Sequence, residues 1–437
     1  MARQELIAGE LFTPRKAGVR SRGARARPCL CVHNIRWYHP TGWGPNTINR
    51  TYRTHWLMAR WFKTLAVNAL LVAASTIFAY VTGEFLFFRV VLGTAHLTER
   101  PYLPETAGAL VQTTKAAYLP RNYLAILGDS YGQGLGDDAV KAGYDEGHWR
   151  HAANLVHEVT GRDIVTFAKA GAGSAEALVL LPSRALNGSR CAIFPTLEDP
   201  AQVFAYFYEG NDIDDNLRFL MRVRAKYGQA GASDIDAYLS DEFASYPWWK
   251  CHAQLGDVAS RLAKFAYAEY TGEINVPPEL PGRPGRLMVG EEVVAVPRLE
   301  GPAIDVGEKD LEAGIAVLDR SLVWLRERLP HAAITVVYIA SPRALYRHVE
   351  PDVGYGSGMR AEEILPRSRQ ICELVRAAST RARVGFLDTG PALREAASIQ
   401  PIHGPTDWHH FNATGYRILG TALALRMPEP TKVDDCG

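Results

Sequence analysis

Five short apolar runs recur along the chain: Tyr123–Leu127, Ile164–Ala168, Val203–Tyr208, Ile334–Ala340 and Val384–Leu387. Each is continuous rather than alternating, the pattern of a strand buried on both faces of a parallel sheet. Amphipathic helical spacing fills several of the gaps, over His148–Val159, Leu311–Leu329 and Ala361–Ala382, the last interrupted by Pro366. Alternating strand and helix patterns predict an α/β fold whose parallel sheet of about five strands is covered on both faces. The third and fourth runs stand about 125 residues apart, too far for an ordinary crossover. An insertion is therefore expected at about 215–310. It contains Tyr246-Pro247-Trp248-Trp249 and a hairpin of Arg286–Val289 and Val293–Val296 around Gly290-Glu291-Glu292.

A different pattern occupies Thr64–Gly83, about twenty residues without a charge. That is enough for a helix across a hydrocarbon core of roughly 30 Å. Arg50, Arg53, Arg60 and Lys63 precede it and Glu84 follows, so the positive-inside rule keeps the N-terminus in the cytoplasm and exports the rest. Two other readings of the segment are a buried core helix and a signal peptide cleaved near Val72-Ala73-Ala74. An uncleaved single-pass anchor is preferred, because the apolar stretch runs well past Ala74 and Phe85-Leu86-Phe87-Phe88 suits the far interface. Residues 94–118, with Pro101 and Pro104, read as a stalk. A large domain at 119–427 and a tail at 428–437 follow.

Composition fits this division. The 437 residues are 47% hydrophobic and 22% charged with a formal net charge of +1, enough for a large core and no argument for nucleic acid as a partner. The charge is uneven: residues 1–57 hold ten Arg and Lys against two acids and read as a disordered basic leader. Met1-Ala2-Arg3 recurs as Met58-Ala59-Arg60, where an anchor's charged flank should begin, so translation is expected to start at Met58. Peptides from 1–57 in native material would overturn that; the rival is a basic tail that binds anionic lipid or nucleic acid. Of six cysteines, Cys29 and Cys31 lie in the leader and Cys191, Cys251, Cys372 and Cys436 are scattered, without the repeated spacing of a zinc site. Disulfides among the last four are possible in an exported domain.

The chemistry-bearing residues fall after the predicted strands, where α/β sheets build their sites. Ser130 follows the first strand, Gly171 and Gly173 the second, Gly210-Asn211-Asp212 the third, and Asp407 and His410 the fifth. A serine hydroxyl needs a base within hydrogen-bond reach and a third group to orient that base. Gly128-Asp129-Ser130-Tyr131-Gly132 spells Gly-x-Ser-x-Gly, the nucleophile elbow of α/β-hydrolases. In that fold, however, the acid and histidine come from separate loops, whereas Asp407 and His410 are three residues apart.

Four segments resemble instead the SGNH, or GDSL-like, hydrolase superfamily. They are AILGDSYGQG at 125–134, AKAGAG at 168–173, YEGND at 208–212 and DWHHFNATGY at 407–416. The resemblance implies a flavodoxin-like three-layer α/β/α fold and a triad of Ser130, His410 and Asp407. It also implies an oxyanion hole from the N–H of Ser130, the N–H of Gly173 (Gly171 is the alternative) and the side chain of Asn211. No metal or organic cofactor is implied. The chain departs from the family at Ala168-Lys169, where an asparagine is usual, and at Glu209, where a glycine is usual. His409 reads as a packing or surface histidine and Asp129 as a turn stabiliser. Tyr131, Trp248, Trp249, Trp408 and Tyr346 are candidates for stacking on sugar rings, with core packing the expectation for each.

The resulting expectation is a membrane-anchored esterase, facing the periplasm or the exterior, that cleaves O-acyl and especially acetyl esters of a cell-surface glycan. The same acyl-enzyme resolved by a sugar hydroxyl would make it an O-acetyltransferase. A glycan-binding or assembly protein with a relic site is the non-enzymatic alternative, and a lipase or thioesterase role stays open.

Overall fold

The computed structural model describes residues 46–86, 114, 119–137, 152–189, 197–244, 254–271, 285–303, 306–351 and 359–437. Met1–Ala73 and Ala74–Gly437 form two units, each described by itself. Helix α1 (Asn46–Leu86) begins well ahead of the charge-free run, so residues 46–57 of the expected leader are helical. Within Arg60–Leu86 the most apolar window has a mean hydropathy of 1.8, and none of it is buried. Leu70, Leu71 and Phe78 all face outward. A helix apolar on every side has no soluble face, and at 1.5 Å per residue it is long enough to span a bilayer.

The second unit is built on the expected sheet. Its strands are β1 (Leu124–Gly128), β2 (Ile164–Ala168), β3 (Gln202–Tyr208), β6 (Ala333–Ile339) and β8 (Gly385–Asp388), in spatial order β2-β1-β3-β6-β8 and all parallel. Every residue of β1, β2 and β3 is buried, which explains why their sequences are apolar without alternation. The expected bounds shift by no more than a residue at each end. Tyr123, Phe167, Phe204, Phe207, Tyr338 and Phe386 are the large side chains at the centre of the core.

Helices cover the sheet in two layers. α2 (Ser130–Gln133) is a single turn after β1, and α3 (Ala152–Thr160) crosses to β2. A π-helical segment (Ala175–Leu180) runs into α4 (Leu181–Ser189) after β2. After β3 come α5 (Asp212–Tyr227), α6 (Ala232–Ala244) and α7 (Gln254–Thr271), then β4 (Gly285–Val289) and β5 (Glu292–Val296). The crossover helix α8 (Glu308–Arg328) returns the chain to β6. α9 (Pro342–Leu345) and the short strand β7 (Arg347–His348) follow β6, and α10 (Ala361–Arg381) leads to β8. α11 (Gly390–Ala397) and α12 (Ala413–Arg426) complete the chain. α10 runs through Pro366, which the sequence pattern treats as an interruption; the proline sits near the helix start, where the unpaired carbonyl of Glu362 belongs to an exposed residue.

The predicted hairpin forms, with Gly290 at φ +61° in its turn. β4 also pairs with β7, so the inserted strands make a three-stranded sheet with the chain that leaves β6. This fixes the insertion at the carboxyl edge of the main sheet. At two points outside these elements, described residues hydrogen-bond to strands of the sheet. Thr114, in the expected stalk, both donates to Ile164 O at 3.0 Å and accepts from Ile164 N at 3.2 Å. The tail lies along β8, with Phe386 N donating to Lys432 O and Asp434 N to Phe386 O. It therefore covers a sheet edge that would otherwise present unpaired backbone groups.

A disulfide between Cys372 of α10 and Cys436 fastens this tail; Cys29, Cys31, Cys191 and Cys251 lie outside the described residues. Replacing both Cys372 and Cys436 by Ser is expected to cost about 2–4 kcal/mol in urea unfolding of the whole chain. An unchanged midpoint would show that the tail's hydrogen bonds suffice without the link.

Candidate active site

A 2-1-3-4-5 order of parallel strands, counting the parallel strands alone, reverses winding direction between β1 and β3. The loops leaving those two strands diverge and open a crevice at their carboxyl ends. Ser130 leaves β1 and Asn211 leaves β3, so both line that crevice. Ser130 opens the turn α2, capped by Asp129, whose Oδ1 accepts from Tyr131 N at 3.0 Å. Asp129 Oδ2 stands 3.3 Å from Ser130 Oγ, and the next glycine, Gly132, lies so close to β2 that an added Cβ would sit 2.7 Å from the Ala168 Cβ. Ala168 is thus the floor on which this turn rests.

Asp407 and His410 belong to the loop before α12. His410 Nδ1 lies 2.6 Å from Asp407 Oδ2, and Asp407 Oδ1 accepts from the N–H groups of His409 and His410 at 2.9 and 3.2 Å. A carboxylate can only accept, so Nδ1 carries the imidazole proton and Nε2 is left as the basic nitrogen. Asp407 is not the cap of α12: that role belongs to Asn412, which accepts from Thr414 N and Gly415 N. Two contacts bring the loop to the serine turn. The Tyr131 ring lies 5.5 Å from that of His410, and its hydroxyl donates to His409 O at 2.6 Å. Asp137, just past the serine turn, accepts from Thr406 N at 2.9 Å and from Asp407 N.

The site is rich in carboxylates, and its titrations reflect that. Burial pushes Asp129 up to about 6, opposed by the Tyr131 N–H and His410 and reinforced by Asp215 and Glu300. For Asp407 burial also pulls upward, but hydrogen bonds from His410 and the two backbone N–H groups win and hold it at about 2. Burial alone would lower His410; the hydrogen bond and charge of Asp407, with Asp129 and Glu300 further off, raise it instead. His403 beneath it, fully buried, is pushed down to about 3 mainly by burial, and its Nδ1 meets the Tyr346 hydroxyl at 3.0 Å.

Asn211 begins α5 without capping it, and its buried Oδ1 has no hydrogen-bond partner. A buried acceptor left without a partner is costly; the donor an oxyanion would meet is the Nδ2 of the same amide. Around the two candidate glycines, Ala170, Ala172 and Ser174 spend their N–H groups on Gln133 Oε1, Lys169 O and Asn216 Oδ1. The N–H groups of Gly171 and Gly173 take no partner among the described residues. Gly171 sits at φ +70° with open space around it, a turn glycine. Gly173 is pressed against α5, where an added Cβ would lie 2.7 Å from Asn216 Oδ1.

Sequence reasoning missed several residues that hold this geometry. Asn216 is buried and ties the Gly173 loop to the core, accepting from Ser174 N at 2.7 Å and donating to Ser174 Oγ and Gly314 O. Glu209, at the position usually glycine, is fully buried and accepts from Ser341 N and Oγ, Ser368 Oγ and the Tyr338 hydroxyl. The glycine has moved one place on, to Gly210, where an added Cβ would strike the Tyr208 ring at 2.3 Å. Glu300, from the insertion, accepts from the Tyr208 hydroxyl at 2.7 Å. Tyr131, Tyr346 and Trp408 are buried and serve the core, while Trp248 and Trp249 lie outside the described residues.

No family model matches the chain, and no curated protein matches it. Among solved structures, LAE5, an alpha/beta hydrolase enzyme from the metagenome of Lake Arreo, Spain, is similar at 11% identity and a TM-score of 0.33, over 71% of this chain and 96% of its own. A second solved structure is similar at 11% identity and a TM-score of 0.32, over 70% and 97%. Likeness that loose carries no functional inference.

Asn216→Ala would leave the buried Ser174 N–H unpaired beside Gly173. It is expected to cost about 1–3 kcal/mol in urea unfolding. A variant as stable as the parent would mean the glycine loop is held by something else.

Proposed function

We propose that the chain is a membrane-anchored serine esterase of SGNH type that hydrolyses O-acyl esters, with acetyl esters of a cell-surface or periplasmic glycan as the substrate class. The observation that carries this reading is the 2.6 Å contact of His410 Nδ1 with Asp407 Oδ2, in a loop held against the turn that bears Ser130. The glycan is inferred from the family resemblance and the anchor, not from any one residue. The anchor is taken to lie with its N-terminus in the cytoplasm, and the Cys372–Cys436 link suits an exported domain.

The chemistry follows from the groups present. His410 Nε2 takes the proton of Ser130 Oγ as that oxygen attacks the ester carbonyl, and Asp407 stabilises the imidazolium that results. The oxyanion takes hydrogen bonds from the N–H of Ser130, the unspent N–H of Gly173 and the amide of Asn211, each such donor worth about 10²–10³-fold in rate. His410 returns its proton to the leaving alcohol, and water attacks the acyl-serine with the same base. A sugar hydroxyl in place of that water would give acyl transfer. Gly171 shares the unspent N–H of Gly173, but its turn role accounts for it without catalysis.

Fluorophosphonate labelling of the whole chain tests this. Wild type is expected to label, and Ser130→Ala to lose labelling; equal labelling of the two would refute the assignment. The base must be neutral to act, and His410 is raised above the ordinary histidine value of 6.5. Labelling should therefore be weak well below that pH and climb through a midpoint above it. A midpoint below 6.5 would contradict the carboxylate environment. Acetate released from an acetylated glycan, against acetate moved to an acceptor sugar, separates hydrolysis from transfer.

A further inference from the structure

The inserted segment between β5 and α8 enters the candidate site at one point. Its backbone is clamped to α9: Arg343 N donates to Glu300 O at 3.1 Å and Arg343 Nε to Leu299 O at 3.0 Å. The Glu300 side chain, about a quarter exposed, then reaches across the carboxyl ends of the strands. Oε2 accepts from the Tyr208 hydroxyl at 2.7 Å, and Oε1 lies 3.8 Å from His409 Nδ1, which is buried without a hydrogen-bond partner. The Tyr208 ring is 4.4 Å from that of Tyr131. Tyr131 in turn lies against His410 and holds His409 O.

We propose that Glu300 is a positioning residue of the catalytic site, fixing the Tyr208–Tyr131 wall against the histidine loop and holding a negative charge over the His409–His410 pair. This rests on the serine-esterase reading. The role is absent from the four motif segments and comes from the insertion instead.

The geometry separates Glu300 from the triad acid. Asp407 touches His410 and orients it; Glu300 acts on it through space and through Tyr208 and Tyr131. The groups that face His410 are Asp407 and His409 from its own loop, His403 beneath, Asp129 from the β1 turn and Glu300 from the insertion. When Ser130 gives up its proton, His410 becomes positive in a largely buried setting. A fixed carboxylate nearby, screened little by solvent, favours that charged form. Removing the charge therefore makes His410 easier to deprotonate and its imidazolium less stable. The sign is definite: the ascending limb of the pH profile moves to lower pH, and the plateau rate falls.

The test is the pH profile of fluorophosphonate labelling at Ser130, in the full chain held in a bilayer disc. Glu300→Gln should shift the ascending limb to lower pH and lower the plateau about tenfold, the change given by about 1.4 kcal/mol in the barrier. Glu300→Asp, which keeps the charge, should leave the limb near the wild-type position. A Gln variant whose limb superimposes on wild type would overturn the proposal, whether or not its plateau falls, because a purely structural role lowers the rate without moving the limb. If Glu300→Gln does not fold, Glu300→Ala decides: it also removes the charge and should move the limb to lower pH, and a limb at the wild-type position would overturn the proposal. Failure of wild type to label at any pH, or labelling of Ser130→Ala, would instead remove the esterase reading.

Discussion

The contact of His410 with Asp407 is the interaction on which the candidate site depends. Two residues on one loop are joined at 2.6 Å, and the same carboxylate is held by two backbone N–H groups of that loop. The loop closes around its acid before it meets the serine. It is then fastened from outside by Asp137 and by the Tyr131 hydroxyl, both just past the strand that carries Ser130. A base oriented in this way loses little freedom when it acts, which is the preorganisation a serine nucleophile requires.

Burial makes this arrangement sensitive. Asp215 and Glu300 help raise Asp129, Asp129 and Asp215 help raise Asp212, and Asp407, Asp129 and Glu300 together raise His410. Asp212 illustrates this: it is buried, one oxygen accepts from Tyr208 N at 3.0 Å, and the other has no partner. Burial, with Asp129 and Asp215 adding, drives it well above the usual carboxylate range. Asp407, by contrast, is held low by the hydrogen bonds it accepts, beside the imidazole that would become an imidazolium.

Most of the frame was legible in the sequence, for a physical reason. Strands buried on both faces must be apolar at every position, so β1, β2, β3, β6 and β8 announce themselves as short continuous runs. The residues after them inherit a place at one edge of the sheet. Ser130, Asn211, Asp407 and His410 could be placed in that way. The rest depends on contacts that no local pattern encodes. Glu300 meets Tyr208 across ninety-two residues, Tyr131 meets His409 across 278, and Glu209 is satisfied by Ser341 and Ser368 from two later elements. Thr114 and the segment around Val433 likewise find backbone partners on edge strands that their own sequence neighbours do not suggest. Pro366 misled because its cost depends on where in the helix it falls.

The central claim is that Ser130 attacks an ester carbonyl and carries the acyl group. Rapid quenching of the whole chain during turnover of p-nitrophenyl acetate, followed by peptide mass mapping, tests it directly. The account predicts an acetyl group on the peptide containing Ser130, on that serine's oxygen, and none in Ser130→Ala. Steady hydrolysis with no acetyl on Ser130, and undiminished in Ser130→Ala, would contradict it.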